Sequence, residues 1–295
     1  MRITHRMMTQ SVTRNLTNNL ASLEKTATQL SMGRLFDRPS QDPVGTYKVM
    51  RITGTGLFRN EQYRRNIGEG ITWLTVTEDA LADTIDVMQR LRELAVYTAN
   101  GTFTAEDRKM VAPEVKQYLE HLISIGNTEV NGLYIFGGYH TQARPYTIDG
   151  DTVSYEGDNG QRKAEITPGQ EITFNLTGTE VFGETELFEI VNNMYNALIN
   201  NNGELLGSDV LRDLDQQLTN LLQYRAEIGA RMARLWSTEE RLANEYIHLK
   251  EFRSKIEDID VAEAITQFKM QENAYQAALS TGARIILPSL VDFLR

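Results

Sequence analysis

From Leu16 onward the apolar positions Leu16, Leu20, Leu23, Ala27 and Leu30 step by four and three, which draws one narrow stripe along a helix. Gly33 and Pro39 interrupt it. Asp42 followed by Pro43 then predicts a restart, with aspartate as N-cap and proline at the first helical position. A linker is therefore expected over about residues 33–42. After a long helical stretch, Thr75 and Glu78 have capping-box spacing ahead of a second stripe, Leu81, Ile85, Met88, Leu91 and Ala95, which Asn100-Gly101 closes. Thr104 is placed to cap the next helix, whose Val111, Val115, Tyr118, Leu122 and Ile125 repeat the four-and-three step. These two helices are expected to form an antiparallel hairpin.

The pattern changes at Asn131-Gly132. Between Leu133 and Gly183 lie short β-branched and aromatic runs separated by Gly137-Gly138, Asp149-Gly150, Asn159-Gly160 and Pro168-Gly169, which are turn signals between strands. This stretch has an excess of acids over its three basic residues, Arg144, Arg162 and Lys163, and is expected to be an exposed acidic insert. Helical pattern returns near Thr185. From Leu211 a heptad runs through fourteen slots to Ile256, of which only Arg225, Glu239 and Arg253 are charged. The eleven apolar slots are Leu211, Leu214, Leu218, Leu221, Ile228, Met232, Leu235, Leu242, Tyr246, Leu249 and Ile256. A continuous helix of that length spans about 69 Å, natural for a rod. The phase breaks between Ser254 and Asp260, where Asp260 and Glu263 form a new cap, and a last stripe follows through Ile265, Phe268, Tyr275, Leu279 and Ile286.

A stripe has to be buried against something. Two paired terminal helices hide only the faces they share, and a pair set off by linkers is too thin for a core of its own. The ends are therefore expected to pair with each other and then with neighbouring copies, ordering in the assembly. Head-to-tail contacts of this kind that do not close give helical assemblies. The expected fold is mainly α: an elongated helical rod with long coiled-coil helices, a small β-rich inserted outer domain, and paired amino- and carboxy-terminal helices. Its expected parts are residues 1–42 with 258–295 as a terminal coiled-coil domain, 43–132 with 185–257 as the helical rod, and 133–184 as the outer domain. Leu16, Leu20, Leu23, Leu30, Ile265, Phe268, Tyr275, Leu279, Leu294 and Arg295 are the candidate interface, and the eleven heptad residues the candidate rod core.

Charge sharpens this picture. Net charge is −10, yet residues 1–65 hold eleven Lys or Arg against four acids. Those cations are scattered singly among apolar positions without aromatic stacking partners, which reads as a subunit contact or a solvated face and not as a nucleic-acid groove. With no cysteine in the chain, disulfides, thiolate metal sites and thiol catalysis are out of reach. The first thirty residues contain no apolar run of the kind a cleaved Sec signal needs, and no stretch is apolar enough to insert in a membrane. His5, His121, His140 and His248 are too dispersed for a metal motif, and the glycine pairs do not open a phosphate-binding helix. Glu257, Asp258 and Asp260 sit at a helix break, where capping accounts for them better than acid–base work. Asn15-Leu16-Thr17 and Asn175-Leu176-Thr177 match a short glycosylation sequon. No enzyme activity, cofactor or metal is expected.

Several segments resemble the flagellin family, which includes flagellins and hook–filament junction proteins. Gln29-Leu30-Ser31-Met32-Gly33-Arg34 and Pro39-Ser40-Gln41-Asp42-Pro43 are similar to its amino-terminal block, with Gln41 standing where an acid is usual. Leu91-Arg92-Glu93-Leu94-Ala95 with Ala99-Asn100, and Asn131 to Gly138, follow in the family's order. Ser254 to Ile265 and the ending from Ala274 resemble its carboxy-terminal block. Asp42-Pro43-Val44-Gly45 and the turn to Gly137-Gly138 favour the junction type over filament flagellin, which is the alternative; an unrelated secreted coiled-coil scaffold or adhesin is the alternative outside the family. The resemblance implies a self-assembling structural subunit, exported by a type III route, at the extracellular hook–filament junction of the flagellum and serving motility. It implies as partners neighbouring copies, a second junction protein (FlgK type), flagellin, and an export chaperone (FlgN type) on the carboxy-terminal helix.

Overall fold

The computed structural model describes residues 5–150 and 152–286, so Leu294 and Arg295 lie outside the described residues. The chain divides into two compact units: residues 1–60 with 244–295, and residues 61–243.

In the first unit, α1 (His5–Met32) ends at Gly33, whose φ of 70° and N–H bond to the Gln29 carbonyl (2.9 Å) make a left-handed cap. A non-helical segment leads to α2 (Pro43–Arg51). Asp42 is its N-cap, accepting from the Gly45 N–H, with Pro43 in the first turn as the sequence predicts. Ile52–Leu57 continues as a π-helix into α3 (Phe58–Ala99). The unit is completed by the last turns of α8 (Leu211–Glu257) and by α9 (Val261–Ile286), which lies along α1. Asp260 caps α9 by accepting from Ala262 and Glu263 N–H groups. The Glu263 carboxylate meets Gln267 instead of returning to the cap, so only half of the expected box forms.

In the second unit, α3 and α8 run antiparallel, tied by Arg92–Asp215 and by Arg225–Glu78 at 2.7 Å. Thr75 starts no helix: α3 runs through it, its hydroxyl donates back to the Ile71 carbonyl, and Glu78 faces Arg225. An exposed threonine inside a continuous helix satisfies its hydroxyl on the preceding turn, and the box spacing is then coincidental. Thr104 does cap α4 (Ala105–Gly126), with Asp107 completing a capping box. That bond set holds the Asp107 carboxyl below its ordinary pKa. An Arg90–Glu114 ion pair (3.2 Å) closes the α3/α4 hairpin.

Asn131-Gly132 proves to be the two-residue turn of a hairpin, β1 (Glu129–Val130) with β2 (Leu133–Tyr134), both turn residues having positive φ. The next hairpins, β3 (Tyr146–Asp149) with β4 (Thr152–Tyr155) and β5 (Lys163–Thr167) with β6 (Gln170–Thr173), turn at Asp149-Gly150 and Pro168-Gly169 as expected. All three pairs are antiparallel and two-stranded. Asn127, at the end of α4, brackets the Tyr146 backbone with its side-chain amide, donating to the carbonyl and accepting from the N–H. This seats Tyr146 in an aromatic cluster with Phe136, Phe182 on the short α5 (Gly178–Phe182) and Phe188 on α6 (Glu186–Ile199), ring centres about 5 Å apart. α6 in turn packs on α4. The hairpins thus share their core with helices on both sides in sequence. A single turn, α7 (Gly203–Leu205), and a second π-helix, Leu206–Val210, lead into α8.

Candidate functional site

The heptad reading of α8 is visible in its burial. Leu214, Leu221, Ile228, Leu235 and Leu242 are buried at seven-residue intervals, and Leu211, Leu218, Met232, Tyr246, Leu249 and Ile256 are half-buried. The charged slot at Arg225 is the exposed one, turned toward Glu78.

The terminal pair is organised differently from the stripes first drawn. On α1 the partly buried positions are Val12, Leu16, Asn19, Leu23, Thr26 and Leu30, again stepping by four and three. On α9 they are Ala264, Phe268, Gln271, Tyr275, Ala278 and Gly282. Small and polar residues occupy alternate slots, and they let the helices come close. A Cβ at Gly282 would sit 2.9 Å from Val12, and Thr26 donates to Gln271 at 2.8 Å. Leu16, Leu23, Leu30, Phe268 and Tyr275 therefore lie on the seam, whereas Leu20, Ile265 and Leu279 point outward and are exposed, in company with Met7, Val261 and Met270. The seam partners Val12, Thr26, Ala264, Gln271 and Gly282 escape a search for large apolar residues. The signal that could have found them is the second four-and-three frame, offset from the leucines.

Below this pair the two chain ends are clasped. The Leu35 N–H donates to the Glu257 carbonyl (2.7 Å) and the Ile259 N–H to the Gly33 carbonyl (3.1 Å), so the backbones of Arg34 and Asp258 pair as an isolated antiparallel bridge. Glu257 is buried and takes Arg34 at 2.9 Å and Arg253 at 3.6 Å. The helix break thus holds linker to linker, with two cations closing over one carboxylate.

Elsewhere the chemistry is structural. Arg108 is buried without a carboxylate: its guanidinium donates to the carbonyls of Thr98 (2.9 Å) and Asn100 (3.2 Å) and to the Asn201 side chain, knitting the end of α3 to the loop after α6. Sequence reasoning passed over this residue because an arginine in the first turn of a helix looks solvated. Asn175, in the second sequon, is buried, accepting from the Arg162 N–H and donating to the Gly160 carbonyl, which leaves no face for a glycan. Asp158 accepts from the Tyr139 and Gly160 N–H groups; burial pushes its carboxyl up, but these donors and His140 bring it below the ordinary value. Among the described residues no group of three or more His, Asp or Glu could hold a metal, and no helix is long and apolar enough to cross a membrane.

Two terminal helices held side by side, with apolar residues left over on them, in a unit distinct from the well-packed residues 61–243, are the marks of a subunit built to assemble. The chain belongs to the bacterial flagellin family: residues 3–141 match its N-terminal helical region and residues 211–294 its C-terminal helical region. Flagellar hook-associated protein 3 of Salmonella typhimurium is 26% identical over 306 residues, covering 95% of this chain and 96% of that one. The flagellar filament 33 kDa core protein of Treponema phagedenis is also 26% identical, with 99% of each chain covered. The crystal structure of FlgL from Xanthomonas campestris superposes with a TM-score of 0.64 at 18% identity over 68% of this chain and 99% of that one.

Proposed function

We propose that this protein is a structural subunit at the junction between flagellar hook and filament, and that its work is assembly and not catalysis. One observation carries the reading: hook-associated protein 3 relatives match almost from end to end, on a chain whose paired α1 and α9 keep Leu20, Ile265 and Leu279 exposed. Residues 1–42 with 258–295 act as the inner contact domain, 43–132 with 185–257 as the helical middle, and 133–184 as the outward insert. Neighbouring copies cover the outward side of α1 and α9, a second junction protein (FlgK type) lies on the hook side, and flagellin lies on the other. Before assembly the chain is exported by a type III route, with a chaperone (FlgN type) shielding the exposed side of α9. The interface residues named from the sequence divide into seam positions, which hold α1 to α9, and outward positions, which meet neighbours.

The Treponema filament relatives, no less identical, favour filament flagellin as the second reading. Electron microscopy of purified protein separates the two. A junction subunit yields no long filaments alone, and a strain lacking it sheds monomeric flagellin into the medium. Ready growth of long filaments from the pure protein selects the second reading.

A further inference from the structure

In the first unit, α2 and its π-helical continuation carry an apolar face that none of the described residues covers: Val44, Tyr47, Met50 and Phe58 are each more than 60% exposed. Gly54 lies among them, and a Cβ built there meets nothing within 4 Å, so the face has a notch in its middle. Lys48, Arg51 and Arg59 are exposed beside it, Lys48 and Arg51 on the border toward Leu249 and Phe252 of α8, and none of them forms an ion pair among the described residues. They are not capping a helix end, because the backbone stays helical from Pro43 through Leu57 into α3. A cationic rim around an exposed aromatic and aliphatic centre is the composition of an interface core and its border.

The chain itself supplies the complement. Residues 61–243 hold 29 acids against 15 Lys or Arg, whereas the rest of the chain holds 11 against 15. In that acidic unit Asp79, Asp83 and Asp86 form one exposed row on α3, spaced four and three, and none is ion-paired among the described residues. Like charges at this spacing repel each other on an isolated helix, and the row stands far from the α3 N-terminus, where a helix dipole would favour it. Tyr97, exposed and set against Phe103 at 4.4 Å, continues the same stripe one turn beyond Glu93 and two beyond Arg90. The row is about 10 Å long and the cations from Lys48 to Arg59 span about 16 Å, so three carboxylates fit within the rim.

We propose that the α2 face of one copy docks on the Asp79–Asp83–Asp86 row of a second copy, a head-to-tail contact of the kind that propagates without closing on a pair. The inference rests on the assembly reading above and names its partner and its contact. Because the natural chain has no cysteine, the contact can be trapped cleanly. Full-length Arg51→Cys and Asp83→Cys proteins, mixed and mildly oxidised, are expected to give the 51–83 disulfide dimer at least about tenfold faster than either 51–51 or 83–83, and more slowly as salt is raised. Filling the notch with Gly54→Leu should reduce that yield. A 51–51 or 83–83 dimer forming as fast as the mixed one overturns the proposal, as does a mixed dimer indifferent to salt. In a strain lacking the protein, charge reversal by Lys48→Glu with Arg51→Glu should abolish filament attachment, and Asp79→Lys with Asp83→Lys in the same chain should restore it. If the doubly cysteine-substituted chain supports filaments yet never cross-links, the contact is wrong and the junction reading stands. If the natural chain itself restores no filaments, the junction reading fails.

Discussion

The two units of this protein bury their side chains to very different extents. The continuous hydrophobic core lies wholly within residues 61–243, running from Tyr63 to Leu242. The unit made of the two chain ends contributes only Phe36, Leu57 and Ala264 as buried apolar side chains among the described residues. One region supplies its own stability; the other has helix, caps and clasp but little core. Helices so sparsely covered draw most of their stabilisation from what packs on them; within the described residues α1 and α9 have chiefly each other.

The largest test of this contrast is in the aromatic cluster. Tyr146→Ala should cost about 3–5 kcal/mol, because it empties a site bounded by Tyr155, Phe182 and Phe188. Tyr146→Phe should do the reverse. The phenol oxygen is buried with no hydrogen-bond partner among the described residues, and burial drives its pKa upward. Removing it should leave stability unchanged or raise it by up to about 1 kcal/mol. Denaturant unfolding followed by fluorescence reads both, since Trp73 and Trp236 lie in this unit. Equal losses for the two variants would show that the hydroxyl is bonded after all.

Next in size is Arg108→Ala, expected to cost about 2–3 kcal/mol by leaving the Thr98 and Asn100 carbonyls without their donor. Arg108→Lys should recover less than half, since one ammonium cannot reach three acceptors that diverge as these do. Full recovery by lysine would mean that charge, and not the fork of donors, matters.

The architecture was readable where period and caps agree. The α8 heptad, the Asp42-Pro43 start, the Thr104 cap and the turns at Asp149-Gly150 and Pro168-Gly169 are short-range signals, and each stands in the structure. The pairing of the terminal helices was only half legible. Leu16, Leu23, Leu30, Phe268 and Tyr275 lie on the seam, but which side of each helix faces the other depends also on Thr26, Gln271, Ala264 and Gly282. Such small and polar residues carry no hydropathy signal. The Arg108 knot and the Gly33–Ile259 clasp join residues distant in sequence, and no periodicity can announce them.

The clasp gives a smaller effect. Glu257→Gln keeps the shape but removes the charge that Arg34 and Arg253 share, and should cost about 1–2 kcal/mol. Its sharper sign is proteolytic. Trypsin should cut the variant after Arg34 several-fold faster than the natural chain, while cleavage within residues 61–243 keeps its rate. Uniform acceleration across the chain would mean that the two units do not open separately.

The smallest effect on the monomer should accompany the largest on assembly. Leu20 and Ile265 are each about half exposed and lie off the α1–α9 seam, so Leu20→Ser with Ile265→Ser should change monomer stability by no more than about 0.5 kcal/mol. Leu16 and Phe268, one frame away, are half-buried on the seam, and Leu16→Ser with Phe268→Ser should loosen the pair measurably, seen as faster amide exchange along α1 in dilute solution. Both double variants should fail to support filaments, for different reasons: the first has the pair but no outward contact, the second lacks the pair. If the outward variant assembled normally, neighbours would not use that face; if it lowered monomer stability as much as the seam variant, the exposed leucine and isoleucine would be covered within the chain itself. Either result would erase the contrast between a unit that carries its own core and one that waits for its neighbours.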